Sequence, residues 1–442
     1  MAVLDEPAAV RRLYDRLGFS AGGERLAAAQ RRGFADGVAR LLRPSGTDAG
    51  VTRTPPPDLP VLTRPAKGTD DASRAARKEY RRRRRAQQQA AAWWWLERMA
   101  AADQPTRERL TWFWHGHFAT SMQKVKRAEL MLRQNETLRR LGMGDFGSLA
   151  QAMVVDPAML VWLDGNDNTA GAPNENLSRE FMELFTLGRD GYAESDVREG
   201  ARALTGWTLE RDTGRAVLRR RRHDSGTKTV LGRTGEMGAE EFVAAVLEQP
   251  GCAGFVTGRL WSRLVSAEPP APAVRDRLVE AYGPGRDITA LLAALVREPA
   301  FTDPASGLVK QPVEWLVGLF RALALSPAAL TAEQRKRVLG QLRGLGQVPF
   351  RPPSVAGWPQ GGAWLTGAAA LARTNAARLL AGAADLSALG QTSARHRPEA
   401  ARRLLGVDRW TERTRSALAQ VADRPAAVVA VAACSPEYVV SG

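Results

Sequence analysis

Apolar residues recur at intervals of three and four positions along most of this chain, and that spacing is typical of amphipathic helices. In the first example, Val10, Leu13, Tyr14 and Leu17 would share one helical face. Runs with the alternating pattern of strands are few, whereas alanine and leucine are abundant. The sequence therefore predicts a mainly α fold, in which many helices form a globular array.

The predicted helices cover most of the chain, and one region has the pattern of strands instead. The helices are expected at about 8–18, 22–43, 71–102, 105 onwards, 125–141, 147–163, 174–188, 194–204, 238–248, 252–266, 271–282, 287–298, 310–325 and 331–344. Residues 216–232 instead predict a small β-hairpin, with Asp224-Ser-Gly226 at its turn.

A chain of 442 residues is long enough for more than one domain. We predict a single large helical domain over residues 1–442, with a flexible loop rich in proline and glycine at 44–68. Residues 238–442 could form a helical subdomain of their own. Cys252 and Cys434 have neither disulfide-framework nor metal-ligand spacing, so we expect two buried free thiols.

The charge of the chain is strongly positive, with a net charge of +16. Such a balance suggests an acidic partner. However, nine arginines fall in two runs, Arg81–Arg85 and Arg219–Arg222. The favoured interpretation is a solvated helix face. Nucleic acid is not an expected partner, because no recognised nucleic-acid module surrounds these runs.

The first residues show no charged segment followed by an apolar run, and no stretch is long and apolar enough to span a bilayer. We therefore expect no membrane span. The expected location is the cytoplasm, or export only together with a signal-bearing partner.

The most informative motif is Trp112-Phe-Trp-His-Gly-His-Phe118, which holds two of the four histidines. A scarce titratable group set among large rings is typical of a dry pocket with a few polar atoms. Positions two apart on a helix point about 200° away from each other. His115 and His117 could therefore bind one metal ion only if the helix ends at Gly116. The alternative is two histidines hydrogen-bonded to backbone carbonyls.

A second motif is the predicted helix at 174–188, which has an apolar stripe. Helical geometry places Glu180 on the apolar side and Glu183 at its edge. A carboxylate in such a place must be ion-paired, protonated or bound to a metal ion. An ion pair with an arginine and a role as metal ligand explain it equally well. His223 and Asp224 add a third imidazole from the predicted β-region.

Several motifs together resemble one known family. They are Arg16-Leu-Gly-Phe19, Phe113-Trp-His-Gly-His-Phe118, Asn174 to Gly188, Ala203-Leu-Thr-Gly-Trp207, His223-Asp224 with Lys228 and Leu231-Gly232, and Pro352-Pro-Ser-Val-Ala-Gly-Trp-Pro359. The set is similar to a large bacterial family catalogued as "domain of unknown function eighteen hundred", over nearly the whole chain. The resemblance implies a mostly helical fold and a pathway or complex shared with a sulfatase-like family. Members usually have asparagine between the two histidines, where this chain has Gly116.

The leading hypothesis is a metal-dependent enzyme, either a hydrolase or an oxidoreductase, that acts on an unknown small molecule or peptide. Its catalytic residues would be His115, His117, Glu180, His223 and Asp224, and all of these except Asp224 would ligate the metal. Imidazole and carboxylate ligands suit zinc, iron or manganese. The supporting or substrate-contacting residues would be Arg179, Glu183, Lys228, Trp114 and Asn174.

Two other functions remain open. The protein could be a non-catalytic helical partner of a sulfatase-like protein, which would dock on Trp93–Trp95 and the arginine runs. The polar motifs would then be internal hydrogen-bond networks. The third and least favoured function is nucleic-acid binding through the basic runs. No nucleotide cofactor is expected, because Gly226-Thr-Lys228 resembles only half of a phosphate loop.

Overall fold

Helices make up most of the described chain, as the spacing of its apolar residues predicts. In the computed structural model we describe residues 3–44, 46–210 and 212–442. Over these ranges there are 24 α-helices and three antiparallel sheets of two strands each. The mainly α fold is confirmed.

The N-terminal helices lead to the polar loop that follows residue 163. They are α1 (Glu6–Leu17), α2 (Gly23–Arg32), α3 (Phe34–Leu42), α4 (Ala49–Thr52), α5 (Asp71–Ala101), α6 (Pro105–His117), α7 (Ala128–Leu141), α8 (Phe146–Val154) and α9 (Pro157–Trp162). The unbroken helix predicted at 71–102 is confirmed by α5, whose first turn is capped by the Asp70 carboxylate.

The middle of the chain contains short helices and most of the β-structure. Its elements are α10 (Asn176–Glu180), a π-helix (Phe181–Thr186), α11 (Glu194–Ala203), β1 (Trp207–Leu209), β2 (Ala216–Leu218), β3 (Thr227–Val230), β4 (Arg233–Glu236), α12 (Ala239–Leu247), α13 (Pro250–Leu264), α14 (Pro272–Tyr282), α15 (Ile288–Leu295) and α16 (Pro299–Thr302).

The C-terminal part is helical apart from one strand pair. Its elements are β5 (Leu308–Val309), α17 (Pro312–Ala322), α18 (Ala332–Gly344), α19 (Gly367–Ala383), α20 (Ser387–Gln391), α21 (Arg397–Leu405), α22 (Glu412–Ala419), α23 (Pro425–Ala433), α24 (Pro436–Val439) and β6 (Val440–Ser441). Because β5 pairs with β6, the last residues lie beside the segment that leads into α17.

The β-structure lies in and around the predicted region, but its strands pair differently. β2 pairs with β1, and the tight hairpin joins β3 to β4 through Leu231 and Gly232. Both turn residues have a positive φ, 50° and 83°, as a two-residue type I′ turn requires. The turn predicted at 224–226 was wrong. There, Arg202 binds the Asp224 carboxylate at 2.7 Å, and the segment is a loop.

Helix α6 lies between two hydrophobic cores. Trp112 belongs to a tryptophan-rich core together with Trp95, whereas Phe113 and Phe118 belong to a phenylalanine-rich core. Every residue of α6 except Arg107 is buried. A helix buried on all sides must find a partner for each of its polar side chains, because an unpaired buried polar group is costly.

Glu108 of α6 shows how this requirement is met. Its carboxylate binds Arg98 at 3.1 Å and Arg139 at 2.9 Å, and it accepts a hydrogen bond from the Trp95 indole at 3.2 Å. Burial alone would raise the pKa of Glu108, but Arg139 and Arg98 outweigh it and hold the pKa below its ordinary value. The carboxylate therefore stays ionised inside the protein.

Residues from the N-terminal, middle and C-terminal parts of the chain form the two cores. Between Phe242 and Phe301 the buried residues pack in the phenylalanine-rich core, and from Val313 to Val439 they pack in the tryptophan-rich core. The region 238–442 therefore contributes to both cores. A single domain and a C-terminal subdomain both remain predictions.

The three consecutive tryptophans of α5 all lie inside the protein. Trp93, Trp94 and Trp95 are at most 6% exposed. Their indole nitrogens donate to Glu97, to the Thr54 carbonyl and to Glu108, respectively. The three tryptophans therefore do not form the exposed patch on which a partner was expected to dock. Trp94, for example, packs beneath the loop that precedes α5.

The segment from Pro352 to Pro359 packs directly on α6. Trp358 stacks on Trp112, with ring centroids 4.8 Å apart and planes inclined by 20°. Gly357 has φ of 82°, and a Cβ atom there would lie 2.2 Å from the Gly116 carbonyl oxygen. By contrast, a Cβ atom on Gly116 would meet the Trp358 ring at 3.6 Å, an ordinary contact. Only glycine fits at position 357.

These two glycines give a matched stability test. Gly357→Ala should lower the free energy of unfolding by about 1–3 kcal/mol, because of positive φ and the clash. Gly116→Ala should be neutral or stabilising by up to about 1 kcal/mol, because alanine has the higher helix propensity. Chemical denaturation of both variants measures the difference. Equal effects would show that the loop does not approach α6 as described.

None of the described helices has the length and apolar character needed to cross a bilayer.

Candidate functional site

His115 faces the tryptophan-rich core. Its ring lies 5.3 Å from Trp95, 5.5 Å from Trp358 and 5.4 Å from Phe350, measured between centroids. The side chain is buried, and its Nε2 atom has no hydrogen-bond partner in the described structure. Burial lowers the pKa of His115 to about 3, so the imidazole is neutral at physiological pH.

His117 faces the opposite side of α6 and enters the phenylalanine-rich core. It stacks on Phe113 and makes an edge contact with Trp114, whose indole donates to the Gly142 carbonyl. Its Nε2 atom lies 2.9 Å from the Phe185 carbonyl oxygen in the π-helix. Because a carbonyl can only accept, Nε2 carries the proton and Nδ1 is left as a lone pair. Burial, followed by the charge of Arg259, lowers the pKa of His117 to about 3.

α6 continues through Gly116 to His117, so the helix does not end between the two histidines. The condition under which both could bind one ion is therefore not met. Gly116 does not break the helix, and its carbonyl oxygen lies close to Gly357.

His223 and Asp224 form part of a closed polar loop. The Nδ1 atom of His223 lies 3.0 Å from the Thr205 carbonyl oxygen, and Asp224 is ion-paired with Arg202. Lys228 is buried and donates to the backbone carbonyls of Asp224 and Gly226 at 2.5 and 2.9 Å. These side chains stabilise the turn from β2 to β3.

Glu180 lies half-buried at the junction of α10 and the π-helix. Burial, and then the charge of Glu183, raise its pKa above the ordinary value. Glu183 accepts from Tyr192 at 2.9 Å and from Arg189 at 3.1 Å. Arg179 pairs with Glu175 and Glu194.

Asn174 has a local structural role. Its backbone N–H donates to the Asn168 side chain at 2.9 Å, and its own carboxamide oxygen accepts from the Asn176 N–H at 3.0 Å. Asn168 in turn donates to the Ala201 carbonyl at 2.8 Å. The polar run before α10 is therefore fixed by internal hydrogen bonds.

The predicted ligands do not come together in one group. Within residues 3–44, 46–210 and 212–442, no three His, Cys, Asp or Glu side chains are arranged so that they could hold a metal ion. His115 and His117 face different cores, and His223 is bound by the Thr205 loop. Residues placed in this way do not fit a shared metal, and metal dependence remains a prediction.

A polar cavity of about 260 Å³ lies beside α6. Its walls come from α1, α6, α13, β5, α17, the segment after Pro359 and β6. The residues that line this polar cavity are Asp15, Arg16, Arg109, Ser262, Arg263, Ala267, Leu308, Val309, Lys310, Gln311, Glu314, Gln360, Gly361 and Ser441. Ala267 and Gln360 are exposed and mark its mouth, whereas Asp15 and Lys310 are buried.

Both carboxylates in the wall are already paired. Asp15 binds Arg11 at 2.9 Å and Lys310 at 3.2 Å, and Glu314 binds Arg109 at 2.6 Å. Burial alone would raise the pKa of Asp15, but Lys310 and Arg11 outweigh it, so the net shift is downward. The wall thus holds ionised pairs with the cations in excess.

Two arginines of the wall have no carboxylate partner among the described residues. Arg16 donates to backbone carbonyls, including that of Ser441 at 2.9 Å. Burial, and then the nearby Arg12, lower its pKa well below the ordinary value. Arg263 donates to the Trp358 carbonyl at 3.3 Å, and burial lowers its pKa to about 10. A guanidinium group does not lose its proton in proteins, so both side chains are cations.

The polar cavity is linked to the tryptophan-rich core. The amide oxygen of Gln311 accepts from the Trp112 indole at 3.3 Å and from Gln347 at 2.6 Å. Arg109 donates to the carbonyl of Arg16 at 3.0 Å, in the last turn of α1. Helix C-terminal carbonyls favour such cations. The position of the wall is therefore determined by the same contacts that bury α6.

Sequence reasoning missed Asp15, Arg109, Arg263, Lys310 and Glu314. A signal was present in the sequence. Like Glu180, several of these charged residues interrupt apolar runs that helical spacing assigns to buried faces. What could not be read from the sequence is that four separate helices bring them to one place.

The chain matches the family described as a protein of unknown function (DUF1800) over residues 12–440. The chain belongs to this family. The match starts within α1 and ends in β6, so it includes every charged residue of the polar cavity wall. No curated protein and no solved structure matches this DUF1800 chain.

The two buried histidines predict how stability depends on pH. Their pKa values are about 3 in the folded protein, against an ordinary value of 6.5. As the pH falls below 6.5, the unfolded chain binds protons first, so the free energy of unfolding decreases towards pH 3. Each histidine contributes about 1.4 kcal/mol per pH unit.

His115→Phe tests this dependence because phenylalanine suits the aromatic surroundings. In the variant, we expect the free energy of unfolding to fall less steeply below pH 6.5, by the contribution of one histidine. Chemical denaturation at several pH values measures this slope. An unchanged slope would show that His115 is accessible to protons in the folded state.

Proposed function

We propose that this DUF1800 protein binds a small anion in the polar cavity. The observation that carries the proposal is the charge of the wall, in which four cationic side chains face two carboxylates. Both carboxylates are already paired. An anion that enters the polar cavity therefore meets two positive charges in excess.

The surroundings increase the attraction between those charges and an anion. The wall is partly screened from water, and electrostatic interactions are stronger at low effective dielectric. Arginine presents a planar fork of donors that matches carboxylate, phosphate and sulfate groups. Arg263 uses one of its donors on the Trp358 carbonyl at 3.3 Å. Since this half-buried guanidinium lacks an anionic partner, it is the first group that we expect an anion to contact.

The size of the polar cavity limits the ligand. Its volume of about 260 Å³ lies just below the range of about 300–1,000 Å³ usual for sites that hold drug-sized molecules. The ligand class is therefore a small carboxylate, phosphate or sulfate compound. Exposed Gln360 and Ala267 at the mouth leave room for an attached polar group to reach solvent.

Arg263→Gln tests the proposal. Inorganic phosphate should raise the melting temperature of the wild type, since a ligand that binds only the folded state stabilises it. At a hundredfold excess over Kd the gain is about 2.7 kcal/mol. Arg263→Gln should lose most of this shift, because it removes one of the two wall cations that have no carboxylate partner.

Arg259→Gln is the matched control. Arg259 lies one turn earlier on α13 and does not line the polar cavity. This variant should keep the wild-type response to phosphate and sulfate. If both variants respond as the wild type does, or if neither anion stabilises the wild type, the polar cavity is not an anion site.

The metal-dependent enzyme remains a separate prediction, as does a sulfatase-like partner. A centre that includes His115 and His223 predicts about one zinc, iron or manganese ion per chain in protein purified without chelators. His115→Ala and His223→Ala should each reduce that content. Elemental analysis that finds no stoichiometric metal in the wild type would contradict this hypothesis.

A further inference from the structure

Helix α5 consists of two halves with different surroundings. Its buried residues all lie from Gln88 onwards, in the half that packs against α6, α7 and α17. None of the side chains of residues 72–87 is fully buried, and we call these residues the basic arm. The preceding loop runs beside the arm, since Arg77 donates to the Gly68 carbonyl at 2.6 Å and Gln87 to the Pro60 carbonyl at 2.8 Å.

The charge of the basic arm is almost entirely positive. It contains eight cationic residues and one carboxylate, Glu79, which is paired with Arg82 at 2.6 Å. Arg81–Arg85 turn through about 400° of helix, so cations lie all round the arm. The face of Arg77 and Gln87 lies along the loop, and the other faces are open. The loop beside the arm adds Arg64 and Lys67. The like charges of such a helix repel one another, and a partner with negative charge on more than one side would reduce this repulsion.

A cationic cleft lies where the basic arm joins the body of the protein. Arg85, Arg343 and Arg351 line it, no acidic side chain does, and its volume is about 210 Å³. Arg351 is held in place by the Gln88 side chain, to which it donates at 2.9 Å. Three guanidinium groups around a small cleft form a suitable seat for a phosphate group.

The side chains of the basic arm favour one class of acidic partner over the others. Membrane-surface helices bury an apolar face, whereas the arm offers only alanines and Tyr80. An acidic protein surface would contact one face and leave the other arginines unused. The major groove of duplex DNA is about 12 Å wide, admits an α-helix and has phosphates along both walls. A helix of about 10–12 Å diameter with cations on all its open faces is complementary to it.

We propose that the basic arm docks in the major groove of double-stranded DNA, with a backbone phosphate seated between Arg85, Arg343 and Arg351. The arm contributes affinity without reading sequence, because arginines on its open faces contact the phosphates on both sides of the groove.

Fluorescence anisotropy of the full chain with a short labelled duplex, at several salt concentrations, tests the proposal. The wild type should bind, and the logarithm of its affinity should fall linearly with that of the salt concentration, by about 0.9 for each phosphate contacted. Replacing Arg81–Arg85 by glutamine should lower affinity about tenfold or more and reduce the slope. Arg343→Gln with Arg351→Gln should reduce the slope by about one or two.

Replacing Arg219–Arg222 by glutamine is the control, because it removes four arginines of a different surface, one fewer than the arm variant. This control should keep wild-type affinity and slope. Circular dichroism should show that every variant is folded, as the arm's arginines lie outside the cores. Equal losses in the arm variant and the control would show an effect of net charge alone and overturn the proposal. Binding to anionic vesicles or to single-stranded DNA in preference to the duplex would also overturn it.

Discussion

The structure depends on the burial of α6 on all sides. Apart from exposed Arg107, the charged residues of α6 lie between the two cores and out of water, so each must be neutralised where it lies. Glu108 is therefore enclosed by Arg98 and Arg139, and Arg109 is held by Glu314. These partners come from α5, α7 and α17, so the pairing of α6 also fixes how its neighbours are arranged around it.

The same constraint separates structural from functional polar groups. Polar side chains whose partners are complete, such as the Thr205–Asp224–Lys228 loop, hold the fold together. The histidines of α6 are shielded by aromatic rings, and burial lowers their pKa to about 3. The polar cavity differs because its cations outnumber its carboxylates. A protein that stabilises such an excess of buried charge can recover part of the cost when an anion binds.

The fold was largely predictable from the sequence, and the site was not. Spacing and capping located α5 and the start of α6, because local rules decide such features. The hairpin turn was misplaced, because Leu231 adopts a positive φ that is uncommon for leucine. The histidine motif was identified correctly as a buried aromatic cluster, but its two rings face different cores. The charged wall could not be predicted, because Asp15, Arg109, Arg263 and Glu314 meet only through tertiary packing.

The most direct test of the central claim, that the excess positive charge of the polar cavity wall creates an anion site, is a crystal structure with a heavy oxyanion. Crystals soaked in selenate or tungstate allow the ion to be located by its anomalous scattering. We expect an ordered ion inside the polar cavity, with Arg263 closest to it. Anomalous peaks confined to the outer surface, with none in the polar cavity at saturating anion, would contradict it.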